Sequence, residues 1–266
     1  MIDTHPHKFD KDQLPLTEES LVLKADETLI QNRIFANLDW RNEFQQGLVF
    51  RNCTISHSDF SDSTLDDLRL ENCTILDCDF GGASIKDGFF EGCTFYNKKN
   101  QKGCNFHLAD LRRTEFHKCE ISMSNFSRSE LFSVTINECQ AQGCNFNLAD
   151  FANIVSKSII FSSAQLTKTN FKYSDFEGVY LEKCDLSGSN FVAVNLSRVN
   201  MEGANLSNTA FSPSQYDGLS IFKADLRNAE ISDIDLRKLD FSGVKILEWQ
   251  MVALIEEVGF IIFPDQ

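Results

Sequence analysis

Residues 171–211 read FKYSDFEGVYLEKCDLSGSNFVAVNLSRVNMEGANLSNTAF. The large apolar residues are Phe171, Phe176, Leu181, Leu186, Phe191, Leu196, Met201, Leu206 and Phe211, spaced by five throughout. The series runs on through Tyr216, Ile221, Leu226, Ile231, Leu236, Phe241 and Ile246. Backwards it passes Leu166, Phe161 and Phe151 and reaches Phe106, with only Ala141 and Ser156 breaking the size rule. A second run from Ile30 to Phe95 keeps the same period, with Gln45 as its exception. Phe95 and Phe106 are eleven residues apart, so the two runs differ by one residue of register.

A helix repeats at about 3.6 residues and a strand at about 2, so neither alone gives a period of five. The unit is therefore a short extended piece plus a corner. Two residues before each centre the side chain is usually small or compact, as at Cys104, Ala109, Thr114, Ser124 and Val134. The residue just before the centre is often Asp, Asn or Glu. One large and one small inward residue per unit suit a coil that closes on itself. Its backbone bonds then run to the next coil, about 4.8 Å away. The expected fold is an all-β solenoid over 30–246, stabilised by stacking of nearest neighbours.

Composition agrees with that reading. Seventeen of the 24 Phe fall on centres, and all nine Cys fall in the small phase. The thiols therefore read as inward plugs. Stacked pairs such as Cys53 and Cys73 would also lie within disulfide range, whereas a zinc site would need CxxC pairs that the chain lacks. The formal net charge of −14 argues against a protein that binds nucleic acid by neutralising phosphates. It is also too small for a charge-for-charge copy of a duplex, which carries one charge per about 1.7 Å. No run of apolar residues is long enough for a membrane-spanning helix. The start, MIDTHPHKFDKDQLPL, lacks the order of a secretory signal. With so many free thiols, a reducing, cytoplasmic setting is expected. No nucleophile elbow, metalloprotease, phosphate-loop or dinucleotide motif occurs, and a filled narrow solenoid offers no deep pocket. No catalytic residue, metal or cofactor is expected.

Two interruptions stand out. The first is Tyr96, Asn97, Lys98, Lys99, Asn100, Gln101, Lys102 and Gly103, a polar stretch at the register shift. The second spans 153–164. There Asn153, Ile154, Val155, Ser156, Lys157, Ser158, Ile159 and Ile160 keep the spacing but put Ser on a centre and apolar residues beside it. Both are candidate partner-contacting loops. After Ile246 the period ends and residues 247–266 take over, with Trp249, Val252, Ala253 and Glu256 at helical spacing. A helix there would cap the open core, and Leu247, Trp249, Met251, Val252, Leu254 and Ile255 are its candidate cap and dimer residues. Residues 1–29 are acidic and read as an arm, a cap or both.

The units ADLRR (109–113), CNFNL (144–148), CDLSG (184–188), ANLSN (204–208) and ADLRN (224–228) resemble the pentapeptide-repeat proteins. That resemblance implies a right-handed quadrilateral β-helix with four units per coil, here ten to eleven coils and a rod on the order of 50 Å. The stretches at 93–126, 138–146, 161–171, 181–186 and 242–259 are similar to the Qnr branch, from about residue 66 onward. That branch implies two projecting loops, end-to-end pairing of rods through the C-terminal helix, and protection of DNA gyrase and topoisomerase IV from quinolones by a DNA-mimic-like contact. About two coils and an acidic arm precede residue 66 as an addition. Self-immunity against a gyrase-directed toxin, or a scaffold with an unrelated protein partner, stay open as alternatives.

Overall fold

Each five-residue unit forms one side and one corner. The centre Phe60 and the small residue two before it, Ser58, are both buried. Asp59, between them, faces out and accepts the Ser61 amide at 2.9 Å. A short carboxylate or amide side chain readily reaches its own backbone two residues on. The same bond recurs from Asp79, Asn105, Asn145, Asp175 and Asn205. This is why an acid or amide precedes so many centres. Two residues after the centre the chain turns through a left-handed residue, for example Asp62 (φ 56°), Asp67 (φ 61°) and Asn72 (φ 53°).

Four such units make a coil, and the fold is a β-solenoid of about ten turns. The structure, a computed structural model, describes residues 17–18, 28–156, 159–257, 259, 261 and 263. One side is a parallel, in-register sheet. Its order is Leu29–Gln31, Val49–Arg51, Arg69–Glu71, Phe89–Glu91, Glu115–His117, Thr135–Asn137 and Gln165–Thr167. Bridges at Asp185, Asn205, Asp225 and Lys245 continue it. In-register partners are normally 20 residues apart, as in Phe50↔Leu70. Two steps differ: Phe90↔Phe116 spans 26 positions and Ile136↔Leu166 spans 30.

Inside, the centres stack in columns. Trp40, Phe60, Phe80, Phe106, Phe126, Phe146 and Phe176 follow one another with ring centroids 4.6–5.6 Å apart. From Phe60 to Phe146 the rings are parallel within 6°. Stacked rings repeat at nearly the rise of the coil, so Phe fills the axis closely. That accounts for the excess of Phe.

All nine thiols are buried and free. Cys53, Cys73, Cys93, Cys119 and Cys139 stack on one side, each donating Sγ–H to a carbonyl of the preceding coil. Cys93 and Cys139 also accept the backbone amides of Cys73 and Cys119. Thr169 and then Ser189 occupy the same place further on. The thiols thus behave as small polar plugs that satisfy the turning backbone. Burial pushes the Cys78 thiol up to about 12, which keeps it neutral.

At the N-terminal end Thr17–Glu18 pairs in parallel with Ile34–Ala36. The rest of the expected arm, residues 1–16 and 19–27, lies outside the described residues. At the other end the centres Ile231, Leu236, Phe241 and Ile246 are only half-buried, yet still packed on the core. A helix, Glu248–Glu257, follows. Gln250 and Leu254 are its buried residues, while Trp249 and Val252 are exposed. No helix of the described residues is long and apolar enough to cross a membrane.

Candidate functional site

Where a partner is spaced 26 or 30 positions instead of 20, extra residues leave the coil, and they leave it as two hairpins. In the first, Tyr96–Asn97 pairs antiparallel with Lys102–Gly103. Lys98, Lys99, Asn100 and Gln101 form the turn, exposed like Lys102, with Gln101 left-handed (φ 56°). Three cations are therefore presented on six residues. Gly103 is buried where the chain re-enters the coil. A Cβ there would lie 2.3 Å from the Ser124 nitrogen, so only glycine fits.

The second hairpin pairs Ala152–Ser156 with Ile159–Ser162, with a bulge between Ile154 and Ser156. This places Asn153, Ile154, Val155, Ser156, Ile159 and Ile160 on one projecting ribbon. Lys157 and Ser158 lie outside the described residues. The sequence reading of Phe161 as a core centre is corrected here. Phe161 is 42 % exposed and meets Phe132 edge-on at 5.4 Å, outside the rod. Ser156 likewise stands on the ribbon rather than on a coil side. Below the ribbon, Ser133 and Ser163 share a 2.6 Å hydrogen bond. The Ser162 hydroxyl donates to the Glu182 carbonyl at 2.5 Å.

A crevice of about 300 Å³ opens at the base of the second hairpin, lined by Arg112, Arg113, Glu130, Phe132, Asp150, Ala152 and Asn153. Its two arginines are paired with carboxylates. Arg112 binds Asp110 bidentately and reaches Glu130 at 3.1 Å. Arg113 binds Asp87, whose carboxyl it holds below the ordinary carboxylate range. Among the described residues no cluster of His, Cys, Asp and Glu could hold a metal.

Along the edge that bears the first hairpin, Met123 and Tyr173 are exposed in left-handed backbone (φ 59° and 65°). Bulky residues rarely adopt that conformation. The outward acids are unevenly spread: one column reads Asp39, Asp59 and Asp79, then Asn105, Asn125, Asn145, Asp175, Asn195 and Gln215. Negative charge on that side is therefore concentrated in the first coils.

At the C-terminal end Leu247 and Ile255 are half-buried and Leu254 is buried. Trp249 (58 % exposed), Met251 and Val252 face outward. Sequence reasoning missed Gln250. Its Nε2 donates to the Leu226 and Ala229 carbonyls at 2.8 and 2.9 Å. Its Oε1 accepts from Leu247 at 2.8 Å and Asn228 at 3.2 Å. The one signal for it was a polar residue four before Leu254 on the same helical face.

The fold and its two insertions define a class: a four-sided β-solenoid built of five-residue sides, with hairpins at two corners. The chain belongs to the pentapeptide-repeat proteins. A family model described as a pentapeptide repeat region matches residues 174–251. Among solved structures, a trypsin-treated form of QnrB1, described as a plasmid-mediated fluoroquinolone resistance protein, superposes with a TM-score of 0.68. That match has 32 % identity and covers 84 % of this chain and 99 % of that one. Full-length QnrB1 gives a TM-score of 0.60 at 31 % identity, covering 85 % and 99 %. The quinolone resistance pentapeptide repeat protein QnrB96 of Scandinavium goeteborgense is 35 % identical over 102 residues. QnrB4 of Escherichia coli is 40 % identical over 48 residues. These two matches span 38 % and 18 % of this chain, and 38 % and 22 % of the curated relatives.

Proposed function

We propose that the protein is a non-enzymatic, protein-binding member of the Qnr branch that protects a type II topoisomerase, DNA gyrase or topoisomerase IV, from quinolones. The observation that carries this is the match to essentially the whole of QnrB1, a fluoroquinolone resistance protein, at 32 % identity. The two hairpins supply the contact. The first brings Lys98, Lys99 and Lys102, which suit an acidic protein surface. The second brings Ile160 and Phe161 as exposed apolar groups. The rod mimics DNA by shape and by a modest acidic field, since many outward carboxylates are already paired with Arg. Trp249, Met251 and Val252 give the end of the rod an apolar surface for a second copy, making an end-to-end dimer.

A supercoiling assay with purified gyrase and a fluoroquinolone tests the reading. Added protein restores supercoiling at near-equimolar ratio if it protects. No rescue at any ratio returns the chain to the scaffold alternative. Inhibition without rescue identifies a mimic that does not protect.

A further inference from the structure

The tip of the first hairpin is held by a residue of the coil before it. Asn37, His57 and Asp77 form one corner column, all in left-handed backbone. Asn97 takes the next place, 20 residues on, and its Nδ2 donates to Asp77 Oδ2 at 2.6 Å. This is an ordinary contact within a column, like that of Asn52 with Asn32. A second bond is not ordinary. Asn100 lies in the inserted turn, and its Nδ2 folds back to donate to Asp77 Oδ1 at 2.8 Å. Asn97 Oδ1 accepts the Lys99 amide at 3.0 Å, closing the turn on the same side chain. Behind Asp77, His57 Nδ1 stands 3.9 Å from Oδ2. The Asp77 side chain is only 9 % exposed, although it sits on an outer corner.

The hairpin needs such a clamp. Its strands are two residues each, too short to order a turn alone. A carboxylate that accepts two amide donors makes stronger bonds than neutral partners would. We propose that Asp77 is the positioning residue of the first hairpin. It fixes the turn that carries Lys98, Lys99 and Lys102 in the form a topoisomerase meets, an inference that rests on the protective role proposed above. A partner then binds a turn already ordered, which lowers the entropy lost on association. Loosening the turn raises the apparent dissociation constant by the fraction no longer in the competent form.

The test uses the full chain with Asp77→Ala, and with the paired exchange Asp77→Asn plus Asn97→Asp. The exchange keeps one donor and one acceptor between the two positions. It also leaves the side-chain oxygen introduced by Asp77→Asn free to accept from Asn100. Two readouts are taken: amide hydrogen exchange of residues 97–102 in the free protein, and the concentration needed to rescue gyrase from a fluoroquinolone. Asp77→Ala is expected to speed exchange at 97–102 by about tenfold or more. Residues 89–91 and 135–137 should stay protected, and several-fold more protein should be needed for rescue. The paired exchange restores both values. Unchanged exchange at 97–102 in Asp77→Ala overturns the clamp, and faster exchange with unchanged rescue overturns the positioning role. A wild-type protein that does not rescue refutes the protective reading, while the hydrogen-exchange arm still judges the clamp.

Discussion

The Phe161 ring meets the Phe132 ring edge-on, with planes at 83° and centroids 5.4 Å apart. One ring belongs to the second hairpin and the other to an outward position on the rod. The contact therefore docks the hairpin against the solenoid. An aromatic pair of this geometry contributes about 0.5–1.5 kcal/mol beyond its buried area. Phe132→Ala should raise hydrogen exchange across 159–162 several-fold. The core columns do not contain Phe132, so the melting midpoint of the rod should stay within a few degrees. Loss of the whole fold in this variant would show that Phe132 belongs to the core.

How much of this was legible in the sequence follows from what an insertion does to a period. The coil, its centres and its small phase could be read because every unit repeats one chemistry: Phe or Leu inside, Cys or Ser beside it, Asp or Asn at the edge. The first hairpin adds six residues, so the register moves by one and the break is visible between Phe95 and Phe106. The second adds ten, two whole periods, so the spacing passes through it unchanged. Phe161 consequently falls on phase while standing outside the core. Ser156 and its apolar neighbours carried the only trace. Gln250 and Asp77 were hidden for another reason: each is a single polar residue, and the bonds that set it apart, from Asn100 to Asp77 and from Gln250 to Leu226 and Ala229, join positions more than twenty apart.

At the C-terminal end, Gln250 closes the last full coil with four hydrogen bonds while 3 % exposed. Gln250→Leu removes all four and strands the Ala229 carbonyl and two amides under the helix, while the Leu226 carbonyl keeps the Ala229 amide at 3.0 Å. Each stranded buried group costs about 1–3 kcal/mol, less whatever water recovers. The expected outcome is a lower urea midpoint and faster proteolysis within 247–257. Gln250→Glu should be no better near neutral pH, because a carboxylate cannot donate to the Leu226 and Ala229 carbonyls. Equal stability of the Glu variant and the parent would sink this role for Gln250.

Strong acid should weaken the hairpin clamp and the arginine pairs. Burial pushes the Asp77 carboxyl up, but the amide donors of Asn100 and Asn97, with His57 and Lys102 nearby, outweigh it and hold the group below its usual value. Hydrogen bonds from Arg113 and from Arg227 do the same, against burial, for Asp87 and Asp225. A carboxyl depressed in the folded state stabilises it fully above the unfolded value, about 3.9. That contribution is lost as pH falls through the lower folded value. Urea midpoints should therefore be insensitive to these groups between about pH 7 and 5 and fall below about pH 4. Exchange at 97–102, corrected for its intrinsic pH dependence, should accelerate over the same acid range. A hairpin that becomes better protected on acidification would contradict the sign.

The silent period also gives a way to remove each hairpin without disturbing the rod. Excising residues 153–162 joins Ala152 to Ser163. Leu166 then lies five positions after Phe151, with Ala164 in the small phase. Excising 97–102 joins Tyr96 to Gly103. Phe106 then follows Phe95 by five, and Gly103 falls at the left-handed corner, where glycine adopts a positive φ without strain. Both shortened chains should keep the strand content of the parent by circular dichroism and a single cooperative melt. An excision one residue shorter at either place leaves the downstream centres out of phase and should fold poorly, since a slip of one residue turns inward side chains outward. With the rod intact, loss of fluoroquinolone rescue in the ten-residue excision locates protection in the second hairpin. Full rescue by that chain, with gyrase binding unchanged, would place the contact on the rod faces instead.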